Sequence, residues 1–209
     1  MAEKGKTAQV RLQVQRKLRQ IEASPQSGET KALLANLRRG VGRIPGDLPE
    51  LWGLLLQGLP EELQSKDGVP TREEWAIYTA LTLYGIHQQG HDPAAEAMNA
   101  EGCLLGSAIR RLAPGNDDDA LDRVRHRLNA LATSSDMQEA AYHLRGVVQL
   151  LRASGIPLDY PALAADLYRW QFADGAPQVR LRWGQEFYFT KPSQTDTVEG
   201  TERKEETNE

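Results

Sequence analysis

Apolar residues recur every three to four positions along almost the whole of this chain, and nowhere do they alternate with period two over more than a few residues. That spacing places one apolar stripe on each of a series of helices and leaves no material for a sheet, so the expected fold class is all-α. A first helix is expected from Thr7 to Ala23, and a second starts at Glu29 or Thr30 and stops at Gly40. The turn-rich GVGRIPGDLPE connector follows, with Asp47 expected to cap a short apolar helix, LPELWGLLL. Thr71 and Glu74 have capping-box spacing and open REEWAIYTALTLYGIHQQ, apolar nearly all round and therefore central. Beyond Gly90 to Pro93, GCLLGSAIRRLA sets Leu105, Ile109 and Leu112 on one stripe.

Pro114 and Gly115 then interrupt the pattern, and Asn116 to Asp119 supply an N-cap and first-turn acids. Two packed helical bundles are expected on either side, residues 1–115 and 116–190, followed by a disordered acidic tail, 191–209. In the second bundle Leu121, Val124, Leu128 and Leu131 mark one helix, and Met137, Ala141, Leu144, Val148 and Leu151 the next. The row Gln138, Tyr142, Arg145, Gln149 and Arg152 runs beside that second stripe, at the edge of the buried seam. Asp159 is placed to cap YPALAADLYRW, and Val179, Trp183 and Phe187 lie on a last helix. Trp52, Trp75, Trp170 and Trp183 all read as core.

None of the chain's motif-like stretches carries a catalytic chemistry. Gly5, Lys6 and Thr7 resemble the end of a phosphate loop whose first glycine would precede the chain, and Gly40 to Gly46 follows a helix where a dinucleotide fingerprint requires a strand. His87 and His91 stand at i, i+4 but lack a third ligand, and they read as surface histidines at a helix C-terminus. Asp117, Asp118, Asp119 and Asp122 lack the alternation of a calcium loop and read as helix capping. Cys103, the one cysteine, reads as a buried thiol on an apolar helix and excludes disulfides and cysteine-built zinc clusters. No cofactor, metal or enzymatic activity is expected. No apolar run approaches a membrane span and the start does not read as a signal peptide, so a soluble, cytoplasmic protein is expected.

Charge narrows the partners less than its location does. The formal net charge is −4, but the last 19 residues hold 3 basic and 6 acidic side chains, against 22 and 23 in the rest, so the body is about neutral. Its basic residues are mostly arginine, the side chain suited to bidentate phosphate contact. Arg38 and Arg39 close the second helix, Arg110 and Arg111 lie near the end of another, and Arg123 and Arg127 share a face at i, i+4, with Arg125 pointing elsewhere. Arg145 edges its seam. Two readings stay open: guanidinium groups spread for backbone recognition of a polynucleotide, or solvated faces paired with neighbouring acids. The aromatic residues fall mostly on apolar stripes, so base-stacking platforms are not expected.

The ordered set of LRRG at Leu37 to Gly40, EWAIYTALTLYGIHQQG, LLGSAIRRLA, RLNALA, AAYHLRGVVQLL, LDYPALAADLYRW and VRLRWGQEFY resembles the CasB family, the small subunit of the type I-E Cascade CRISPR surveillance complex, over most of residues 31 to 190. The resemblance implies a non-enzymatic helical subunit, present as a pair of copies with a guide RNA, backbone subunits and a large subunit. Its implied role is to hold the displaced non-target DNA strand and stabilise the R-loop through phosphates. Matching positions put Arg39, Arg72, Arg127 and Arg145 first among the contacts, with Arg38, Arg110, Arg111 and Arg123 behind them. Similar proteins often carry arginine directly after the glycine where this chain has Gly106 and Ser107, and Arg110 or Arg111 is expected to substitute. The competing expectation is a helical protein-protein adaptor without nucleic-acid contact.

Overall fold

The structure, a computed structural model, describes residues 2–115 and 117–189; the expected acidic tail and Asn116 lie outside them. Helices α1 (Ala2–Ala23) and α2 (Gly28–Gly40) lead through a 3₁₀ turn, Pro49–Leu51, into the short α3 (Trp52–Leu56). A second 3₁₀ turn, Glu61–Leu63, precedes α4 (Arg72–His87), and α5 (Leu105–Arg111), α6 (Asp118–Ala132), α7 (Met137–Ala153), α8 (Tyr160–Trp170) and α9 (Gly175–Phe189) follow. Among the described residues no strand forms, and one isolated bridge, Asn99 to Leu158, ties two loops together.

The expected caps at Thr71, Asp117 and Asp159 form, accepting the amides of Glu74, Ala120 and Ala162, and Glu74 closes the Thr71 box. Asp47 caps nothing at α3, whose entry has no side-chain cap, and α2 opens at Gly28, just before the expected Glu29 or Thr30, with Ser27 as its cap. The central position of α4 follows from its composition: Ala76 through His87 are all buried, and the helix packs against α1, α2, α7 and α8. The 115/116 junction falls between α5 and α6, and buried residues on both sides of it belong to one contiguous apolar cluster. The α7 stripe shows how pattern becomes packing. Leu144, Val148 and Leu151 are fully buried, each worth about 2 kcal/mol of transfer from water.

Two buried polar groups tie elements together. Lys17 donates from α1 to the carbonyls of Leu54 and Gln57, capping the end of α3, and burial lowers its pKa to about 8. Asp166 on α8 accepts from Trp183 Nε1 at 2.7 Å and pairs with Arg182. Burial outweighs these partners and raises its pKa to about 6.

His87 departs from expectation. It is fully buried, with Nδ1 2.9 Å from the Tyr160 hydroxyl, because α8 covers the last turn of α4. Burial lowers its pKa from 6.5 to about 4, so the folded state favours the neutral ring. The stability this carries is complete above pH 6.5 and is lost as pH falls toward 4, about 3 kcal/mol in all. Asp166, raised from 3.8, acts in the opposite direction below pH 6. Equilibrium unfolding at pH 7 and pH 4 should therefore show a smaller loss in a His87→Gln variant than in the parent; equal losses would contradict the burial argument.

Candidate nucleic-acid interface

The helices α6 and α7 run antiparallel, and their shared seam is filled by Val124, Leu128 and Leu131 against the α7 stripe. Burying that seam fixes what faces outward. Arg123 and Arg127, one turn apart on α6, are exposed, as are Gln138, Tyr142, Arg145 and Gln149 on α7. The Arg127 guanidinium reaches across to α7, lying 3.9 Å from where a Cβ at Gly146 would stand. Arg145 immediately precedes Gly146 on that helix and is exposed, so Arg123, Arg127 and Arg145 lie along one solvent-facing α6–α7 surface as a loose band. Among the described residues no carboxylate pairs with any of the three. The nearby acids are engaged elsewhere: Asp122 with Arg125 at 3.0 Å, and Glu139 with Ser135 and His143.

Among the described residues no hydrogen bond or ion pair links the other expected arginines to this band. Arg38 and Arg39 close α2, which crosses α4 at Gly85, whereas Arg72 opens α4 thirteen residues earlier, about 20 Å along the helix axis. Arg38 is half-buried in the cleft with Gln88 to Pro93. Arg39 meets Glu50 at 3.5 Å, an exposed pair that costs little to break. Arg72 lies 4.7 Å over the Phe172 ring, a cation–π contact, and lines a cleft of about 390 Å³ with Trp170 and Arg180. Arg110 turns back onto the carbonyls of Ala113 and Gly115 and finishes α5. Arg111 stays exposed and unpaired among the described residues, while Ser107 donates to the Glu186 carbonyl.

Two other positions differ from expectation. Trp52 is 48% exposed and donates to the Gly46 carbonyl; a five-residue helix is too short to bury a second face. Cys103 sits in the loop before α5 and is half-buried, its carbonyl accepting from Asp159. Tyr142, expected on the row at the edge of the seam, is 72% exposed one turn before Arg145. Its place on the edge row was the available signal. His87 and His91 share no ligand: His91 binds Glu96 at 2.8 Å and the Arg152 carbonyl at 3.1 Å. Among the described residues no group of three or more His, Cys, Asp or Glu could hold a metal, and no helix is long and apolar enough to cross a membrane.

Known proteins place this arrangement in a family. The family model for CRISPR-associated protein Cse2 matches residues 33–188. Among solved structures, CasB from Thermobifida fusca is 35% identical, with a TM-score of 0.72 over 86% of this chain and 98% of its own. CasB from Thermus thermophilus shares the fold at 23% identity, with a TM-score of 0.61 over 84% of this chain and 97% of its own. No curated protein sequence matches the chain. A match spanning all the helices from α4 to α8, together with the Thermobifida likeness over nearly the full length of that protein, shows that this chain belongs to the Cse2 family of CRISPR-associated proteins.

Proposed function

We propose that this Cse2-family chain is a non-catalytic subunit of a type I-E Cascade complex in the cytoplasm, where it holds the displaced DNA strand by its phosphates and steadies the R-loop. One observation carries the reading: the α6–α7 face presents Arg123, Arg127 and Arg145 together, without carboxylate partners among the described residues. Exchanging a DNA duplex for an RNA–DNA heteroduplex is nearly isoenergetic, so a few added phosphate contacts tip the balance. A body of near-neutral charge suits the task. Weak intrinsic affinity becomes effective only by tethering inside an assembly, which keeps the subunit off bulk DNA. The partners are then a guide RNA, backbone and large subunits, and a second copy of the chain.

A helical adaptor that never meets nucleic acid is the second reading, favoured by the exposed Leu181, Tyr188 and Phe189 on α9, which suit a protein partner. Co-expression separates the two. Purifying the tagged chain together with the other subunits and a repeat array should recover a guide RNA of defined length, and target DNA bound by that complex should gain R-loop lifetime from this subunit. Recovery of the complex with an R-loop lifetime equal to that of a preparation lacking the subunit would favour the adaptor.

A further inference from the structure

We infer that Tyr142 is a base-stacking platform, so that the α6–α7 face grips single-stranded DNA by a base as well as by phosphates. This rests on the proposed strand-holding role and adds to it the recognition of an unpaired base. Tyr142 is 72% exposed, and among the described residues its ring meets one other ring, that of His143, edge-on at 5.4 Å and 73°. Buried neighbours therefore explain neither the ring nor its position. Arg145, Gly146 and Gln149 follow at i+3, i+4 and i+7, the same helical face.

Gly146 supplies the independent clue. A glycine in mid-helix is unfavourable, and it is usually retained where something must approach the backbone closely. Among the described residues nothing demands it: a Cβ there would meet only the Arg127 guanidinium, at an ordinary 3.9 Å. What the missing side chain leaves is bare backbone one turn beyond Tyr142, with the Arg127 guanidinium beside it. In this proposal a flat base lies on the ring over that bare backbone, and its flanking phosphates fall to Arg127 and Arg145. Duplex DNA is refused because its bases are already stacked on one another, whereas the displaced strand offers a free π-face at every nucleotide.

The chain assembled with its partner subunits, in low salt, is titrated by fluorescence anisotropy with an oligothymidylate of roughly 16 nucleotides, an abasic strand of equal length and the matching duplex. The expected result is a preference of about tenfold for thymidylate over the abasic strand, within the stacking range measured per base. Tyr142→Ala should erase that preference without changing abasic binding, and Tyr142→Phe should keep it. Gly146→Leu should cover the bare backbone, weakening thymidylate binding more than abasic binding while raising the melting temperature. Equal binding of thymidylate and abasic strands by the parent chain, a preference that survives Tyr142→Ala, or duplex binding as tight as single-strand binding overturns the platform and leaves the phosphate reading standing. Failure to bind either single strand overturns both.

Discussion

Replacing Gly106 by alanine is expected to cost the fold about 3 kcal/mol, the upper part of the range for overpacking a core. The α5 and α9 helices cross at this glycine so closely that an added Cβ would stand 2.2 Å from the Trp183 carbonyl oxygen and 2.9 Å from the Phe187 amide. Both obstacles are backbone, so no rotamer change relieves them. The helices would have to separate, stripping contacts from Trp183 and Phe187, which are almost wholly buried, and lengthening the bond from the Gly106 amide to Glu186. In a chain of 209 residues that amounts to about 10 °C of melting temperature. Gly53→Ala is the control, with nothing within 4 Å of its Cβ, and should move stability by no more than about 0.5 kcal/mol. Equal melting temperatures for the two variants would mean that the crossing is looser than described.

The second large effect concerns binding. Each phosphate contact to a single strand contributes about 0.7 log units of affinity per decade of salt, so three contacts are worth roughly a hundredfold between 1 M and 0.1 M salt. An Arg123→Ala, Arg127→Ala, Arg145→Ala triple variant should lose about that factor for every DNA sequence alike, since phosphate contacts position a strand and carry no base information. All three side chains are exposed, so the fold should survive, although the stem of Arg145 borders the α7 seam and its loss must be checked by melting. Arg110→Ala makes the contrasting case. Its guanidinium is spent on the Ala113 and Gly115 carbonyls, so its removal should lower stability by about 1 kcal/mol and leave the salt dependence alone.

Helix number and order were legible because each stripe repeats over several turns, and the caps at Thr71, Asp117 and Asp159 because a side chain and an amide three residues apart define them locally. What stayed hidden depends on distant neighbours. Nothing near His87 in sequence announces Tyr160, 73 residues away, which turns a helix-end histidine into a core residue. Trp52 looked apolar enough for the core, yet the short α3 leaves it half outside and satisfied by the Gly46 carbonyl. The arginine band was half legible. The i, i+4 spacing pairs Arg123 with Arg127, but their meeting with Arg145 depends on the antiparallel packing of α6 on α7, and the openness of Gly146 on what the fold leaves uncovered.

The central claim, that these arginines hold a DNA strand, is tested most directly by the salt dependence of single-strand binding in the assembled complex. The logarithm of the affinity is plotted against the logarithm of the salt concentration for the parent and for the single variants Arg123→Ala, Arg127→Ala and Arg145→Ala. Each substitution should flatten the slope by about 0.7, and the triple variant by about 2. Slopes that stay the same while the variants fold and assemble would contradict the claim and assign the band to solvent or to a protein partner.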